Sequence, residues 1–185
     1  MAASAPVVAR APGKLVALGE YAVLDGAPAL VLTVDRYAAA SIEPAAGPDC
    51  RLTTLMPAAD ERRFAAGRPS GVPLVDLVSG ASAAFGALPP WQGTLDSRAF
   101  FGAGSKLGLG SSAAALCAWA GAFRAFAAST GVDAPPPTAR ELIELHRAFQ
   151  GGRGSGLDVA ASYTGGAIVY RLAGSSEPQI GSVRL

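Results

Sequence analysis

Residues 104–115 read Gly-Ser-Lys-Leu-Gly-Leu-Gly-Ser-Ser-Ala-Ala-Ala and run straight into an alanine-rich stretch that reaches Thr130. A chain with this segment has to place a glycine loop at the mouth of a helix. Gly108 and Gly110 let the backbone approach a ligand with no Cβ in the way. The helix that follows turns its unpaired N–H groups and positive dipole end back at the loop. Ser111 and Ser112 add hydroxyls there, and the parts together make a cradle for phosphate. The plainer reading is a glycine turn with a serine N-cap, which is open to any helix. The segment is not a Walker A loop, because no Gly-x4-Gly-Lys-[Ser/Thr] string occurs. Gly108-Leu-Gly110-Ser-Ser-Ala113 fits the loose dinucleotide pattern, but residues 102–106 before it are glycine-rich and polar, unlike a buried parallel strand.

Composition narrows the partners. At 185 residues the chain holds one domain, or a domain and part of another, and with 50% hydrophobic residues it can bury a sizeable core. A net charge of +1 provides no field for nucleic acid or an anionic membrane. Cys50 and Cys117 set neither a disulfide framework nor a zinc spacing. Cys117, inside the apolar helix, reads as a small core residue. Residues 1–11 lack a basic segment followed by an apolar one, so no signal peptide is read. No run of 18 apolar residues suggests a membrane span. A cytoplasmic setting is expected.

Along the chain, residues 7–10 are extended and Pro12-Gly13 predicts a turn. Residues 15–18 form a second apolar run, and 21–24 resume extended character before Asp25-Gly26, a hairpin signal. Residues 29–34 and 37–43 read as partner strands, and 51–55 as another. Residues 56–71 are polar, charged and proline-bearing, which predicts a surface loop. Leu74, Leu77, Val78, Ala81 and Phe85 fall at helical spacing within 72–85. Residues 92–101 read as a strand entering the glycine loop. A helix over 111–130 is closed by Gly131. Thr138-Ala-Arg-Glu141 is a capping box, so a helix should run from Glu141 to about Gln150. Residues 151–156 form a second glycine-rich loop. A short helix over 157–163 and strands over 167–171 and 180–184 follow it. A β-rich front with helices behind predicts an α+β domain of two layers.

Two further constellations flank the glycine loop. Ala11-Pro-Gly-Lys14, followed by Gly19-Glu20-Tyr21, puts a cation beside a turn, although most lysines are simply solvated. Gly154-Ser-Gly-Leu-Asp158 puts a carboxylate in the first turn of a short helix, where an acid also offsets the helix dipole. Each is ambiguous alone, and their joint presence in this order decides. APGKLVALGEYAVLDGAPAL at 11–30, KLGLGSSAA at 106–114 and QGGRGSGLDVAASYTGG at 150–166 resemble the galactokinase/homoserine kinase/mevalonate kinase/phosphomevalonate kinase (GHMP) superfamily. They look like its opening motif, its ATP phosphate motif and its acceptor-site segment.

The resemblance implies a GHMP-kinase N-terminal domain, similar to ribosomal protein S5 domain 2, over residues 1–175. Residues 176–185 would then begin a connection to a C-terminal domain that this chain lacks. A fragment, a truncated gene product and half of a split enzyme all fit that expectation. It also implies that Lys106, Gly108, Leu109, Gly110, Ser111, Ser112 and Ala113 bind ATP, with Ser112 as a Mg²⁺ ligand. Asp158 and Lys14 match catalytic positions. Lys14, Glu20, Tyr21, Arg153, Ser155 and Gly156 would face the acceptor. Where mevalonate-like members carry a glutamate metal ligand, this chain has His146, its single histidine, with Glu141 and Glu144 nearby; the second metal ligand stays open.

Gly-Glu-Tyr in the opening motif and Gln-Gly-Gly-Arg-Gly-Ser-Gly-Leu-Asp in the third look most like phosphomevalonate kinases. Arg153 suits an acceptor that carries its own phosphate, with a solvated loop cation as the plain alternative. The implied activity is ATP-dependent phosphorylation of phosphomevalonate in isoprenoid precursor synthesis. The alternatives are mevalonate or another small-molecule acceptor, and a non-catalytic nucleotide-binding fragment that acts with a partner chain or as a homo-oligomer. A serine hydrolase using His146 with Ser111 or Ser112 lacks the Gly-x-Ser-x-Gly elbow.

Overall fold

The computed structural model describes residues 5–103, 105–172 and 178–184. The chain opens with two long antiparallel strands, β1 (Val7–Leu18) and β2 (Ala29–Pro44), followed by the hairpin β3 (Asp49–Met56) and β4 (Ala58–Ala65). Helix α1 (Pro73–Ser82) leads to β5 (Trp91–Asp96), and the two-residue strands β6 (Phe101–Gly102) and β7 (Ser105–Lys106) precede the glycine loop. Helices α2 (Ser111–Ser129), α3 (Ala139–Phe149) and α4 (Leu157–Thr164) come next, then β8 (Ala167–Arg171) and β9 (Gln179–Val183).

One sheet runs in the order β4-β3-β5-β2-β8-β9, with β1 also paired to β2. All its pairings are antiparallel except β3 with β5. Helix α2 packs on β1, β2 and β5 and touches all three other helices, while α4 packs on β1, β2 and β8. The domain is therefore α+β with two layers, a sheet and a helical layer.

α2 is buried nearly all round, as its apolar, alanine-rich sequence requires of a helix set between a sheet and other helices. Small side chains let it lie close to the strands. Trp119, fully buried, supplies bulk, with its ring 5.6 Å from Trp91 and 6.3 Å from Phe123. Arg124 is the exception on α2, a cation only 3% exposed. Its guanidinium donates to Ser82 Oγ at 2.9 Å, to the Pro135 carbonyl at 3.0 Å and to Glu141 Oε1, and it lies 4.3 Å over the Phe85 ring. The Thr138 hydroxyl caps α3 by accepting from the Glu141 N–H at 3.2 Å.

Several local expectations are corrected. Pro12-Gly13 makes no turn, because β1 runs through it and the register with β2 shifts there; such an irregularity accommodates a residue without an N–H. Residues 29–34 and 37–43 are one strand, not two partners. Residues 22–25 form a 3-10 turn that ends at Gly26 in the left-handed region and buries Val23; a run this short carries no period to reveal it. Residues 58–65, expected in a loop, form β4, an almost fully exposed strand whose polar sequence hides the pairing with β3. The expected strand over 92–101 ends at Asp96, and a 3-10 turn takes Arg98–Phe100. No helix among the described residues is long and apolar enough to cross a membrane.

The Arg124 cluster makes a direct prediction. Glu141→Ala leaves a buried guanidinium without its counter-charge, which should cost about 3 kcal/mol of stability. Urea denaturation checks this, and a loss below about 1 kcal/mol would mean that Ser82, Pro135 and Phe85 suffice.

Candidate active site

The three motifs converge at one end of α2. Lys14 sits in β1, and its backbone N–H donates to the Leu109 carbonyl at 2.9 Å, tying the glycine loop to the strand. Gly110 is the N-cap of α2 in the left-handed region, with φ at 76°. A Cβ on Gly110 would lie 3.1 Å from Lys14 Cγ, so the lysine stem crosses the place where a side chain would stand. The stem ends with Nζ 3.1 Å from Asp158 Oδ1, and the two side chains are 12% and 34% exposed. Asp158 is in the first turn of α4, whose N-cap Gly156 is again left-handed, with φ at 85°. A Cβ on Gly156 would fall 2.6 Å from Ile143 Cγ2 of α3, so packing as well as backbone conformation demands glycine.

The first α-helical bond of α2 runs from the Ala114 N–H to the Gly110 carbonyl at 3.1 Å. The N–H groups of Ser111, Ser112 and Ala113 precede it and face the loop. Ser112 Oγ lies 3.0 Å from His146 Nε2. His146 is 3% exposed and stacks on Phe149. Burial pulls its pKa below the usual imidazole value, against the opposing charge of Asp158. A neutral imidazole has one donor and one acceptor nitrogen, so the tautomer sets the direction of this bond: with the proton on Nδ1, Nε2 accepts from the Ser112 hydroxyl and the oxygen keeps its lone pairs.

The other expected residues sort by position. Leu109 is half-buried in the loop, while Gly108 and Lys106, the latter on β7, are exposed. Arg153 is exposed on the second glycine loop, and its side chain makes no hydrogen bond or ion pair with any described residue. The Ser155 hydroxyl accepts from the Leu157 N–H at 3.4 Å. Glu20 and Tyr21 lie beyond the end of β1, with Tyr21 80% exposed, and no side-chain contact brings either to Lys14 or Asp158 among the described residues. Glu141 and Glu144 are committed to Arg124 and Arg140. No group of three or more His, Cys, Asp or Glu gathers at one point among the described residues.

Sequence reading passed over Arg147, which bonds the carbonyls of Gly154 and Ser155; a cation in the last turn of a helix before a glycine loop was the available signal. A separate cavity of about 400 Å³ opens among Phe64, Arg68, Asp76, Trp91 and Phe123, and none of the expected site residues lines it.

Residues 94–166, which contain the second and third motifs, match the family model described as the GHMP kinases N terminal domain. Among solved structures, the Lin0012 protein from Listeria innocua is 26% identical, with a TM-score of 0.71 over 90% of this chain and 48% of its own. A D-glycero-D-manno-heptose 1-phosphate kinase from Bacteriodes thetaiotaomicron has 16% identity and a TM-score of 0.75 over 96% of this chain and 60% of its own. The Streptococcus pneumoniae phosphomevalonate kinase, solved with phosphomevalonate and AMPPNP, has 21% identity and a TM-score of 0.67 over 89% of this chain and 49% of its own. The chain thus shares its fold with these proteins and spans about half their length. No curated protein sequence matches it.

Gly156→Ala should lower stability by at least about 2 kcal/mol, from the left-handed backbone and the clash with Ile143 together. Gly108→Ala has the same backbone sign but no atom within 4 Å of its Cβ, and should cost only about 1 kcal/mol. Thermal melts of the two variants check the difference.

Proposed function

We propose that this chain is the ATP-binding half of a GHMP small-molecule kinase whose acceptor is 5-phosphomevalonate. The observation that carries the reading is the placement of Lys14. Its backbone holds the glycine loop, its stem lies against Gly110, and its ammonium meets Asp158. A phosphate tail on the amides of Gly108–Ala113 would bring its terminal phosphorus beside that ion pair.

In this reading the acceptor oxygen attacks the γ-phosphorus, the bond from that phosphorus to the β–γ bridging oxygen breaks, and ADP leaves with the electron pair. Lys14 offsets the negative charge shared by acceptor and γ-phosphate. A phosphate acceptor, with a second pKa of about 6, is already largely ionised at neutral pH and has little need of a general base. Asp158 therefore orients Lys14 and the acceptor. Arg153, exposed and without a partner side chain among the described residues, is available to grip the acceptor's own phosphate.

A magnesium ion fits this donor set. It needs few protein ligands when phosphate oxygens and water supply the rest. Ser112, whose hydroxyl lies 3.0 Å from His146 Nε2, presents an oxygen when that nitrogen is the acceptor. The glutamates of α3 are engaged elsewhere. When bound, the ion neutralises phosphate charge.

The Ser112–His146 contact would also serve a hydrolase, but Asp158, the carboxylate whose charge acts on His146, is committed to Lys14. A fluorophosphonate should leave Ser112 unmodified.

Calorimetry with ATP and a coupled kinase assay on the same sample test the main reading. Turnover should be faster with 5-phosphomevalonate than with mevalonate, and the reverse order overturns the acceptor assignment. ATP binding without any turnover favours a nucleotide-binding fragment that works through a partner chain. Arg153→Ala should raise the KM for the phosphorylated acceptor by about tenfold or more, with a smaller effect on that for ATP.

A further inference from the structure

The last turn of α3 carries a cation that the kinase reading does not use. The Arg147 guanidinium leaves its own helix and reaches over the second glycine loop. Its Nε donates to the Gly154 carbonyl at 3.1 Å, and its Nη2 donates to the Ser155 carbonyl at 3.0 Å. The Tyr170 hydroxyl, on a fully buried side chain of β8, donates to the same Ser155 carbonyl. Ile143, one turn earlier on α3, presses on Gly156 from the helix side. Three side chains from two elements thus hold residues 154–156.

Such a restraint matters because this loop has so little of its own. Gly151, Gly152, Gly154 and Gly156 all have positive φ, and glycines are free to leave such conformations. A planar guanidinium holds two donors in fixed directions toward two successive carbonyls, whereas an ammonium offers its donors from a single point on a flexible stem. Immediately upstream stands Arg153, and two residues downstream of the fixed segment stands Asp158.

We propose that Arg147, with Tyr170, is a positioning pair for the acceptor loop. By fixing the carbonyls of 154 and 155 it sets where Arg153 and Asp158 stand before the acceptor arrives. The term acceptor rests on the kinase reading, whereas the restraint itself does not. A helix cap would bond the final carbonyls of α3, and Arg147 bonds those of the next loop.

The test uses the full chain with Arg147→Ala, Arg147→Lys and Tyr170→Phe. Hydrogen exchange of the amides at 151–157 should be at least about tenfold faster in Arg147→Ala, with α2 unchanged and Arg147→Lys in between. The affinity for 5-phosphomevalonate should fall about tenfold while that for ATP stays within about twofold, as expected when a binding group is misplaced by a fraction of an ångström. Tyr170→Phe should move both readouts in the same direction by less. Unchanged loop exchange, or equal weakening of both ligands, overturns the proposal. If the wild-type chain binds neither ligand, the kinase reading fails, and the exchange rates still decide whether Arg147 holds the loop. Should Arg147→Ala not fold, the Lys and Phe variants carry the comparison.

Discussion

The site depends on one close approach, that of β1 to the glycine loop at Lys14, Leu109 and Gly110. These residues are far apart in the chain, and a single backbone hydrogen bond of 2.9 Å joins them. The missing side chain at residue 110 then leaves room for the lysine stem to cross the helix mouth to Asp158. A larger residue at 110 would force the stem aside, and a loosened loop would remove the floor it lies on. Three motifs that are individually ambiguous acquire a common purpose through this contact.

Helix α3 organises what stands around that contact. Glu141 reaches back to Arg124 of α2, His146 reaches Ser112 at the start of the same helix, and Arg147 reaches the loop before α4. Two neighbouring residues on one helix thereby reach both glycine-rich motifs. The acids of α3 meet cations instead: Glu141 answers the buried Arg124, and Glu144 pairs with Arg140. His146, at the position where the resemblance puts a glutamate in mevalonate-like members, lies 3.0 Å from the Ser112 hydroxyl.

How legible this was from sequence varied with the physics involved. The helices read well: the 3.6-residue spacing of α1, the apolar run of α2 and the Thr138 cap of α3 are local properties, and each helix lies within a few residues of its expected place. The strands read less well. β2 was split by the polar pair Asp35-Arg36, and β4 was missed because it buries almost nothing and is specified only by its neighbour. At the site, the glycines and Asp158 announced themselves by type and spacing. Lys14 and Asp158 were both assigned to catalytic positions through family likeness, and the ion pair between them was found in the structure. Arg147 was harder to read: its place in the last turn before a glycine loop was a signal, but its partners are backbone carbonyls, which every residue carries.

β4 forms one margin of the sheet and carries Asp60, Glu61, Arg62 and Arg63 in succession. Asp60 with Arg62, and Glu61 with Arg51 of the adjoining strand, tie these charges down in pairs. Another polypeptide seeking to extend the sheet along this border would have to strip hydration from four ionised groups before gaining a single ladder bond. The stretch that looked like loop is therefore a guard rail, which keeps an otherwise strongly apolar chain from stacking edge to edge.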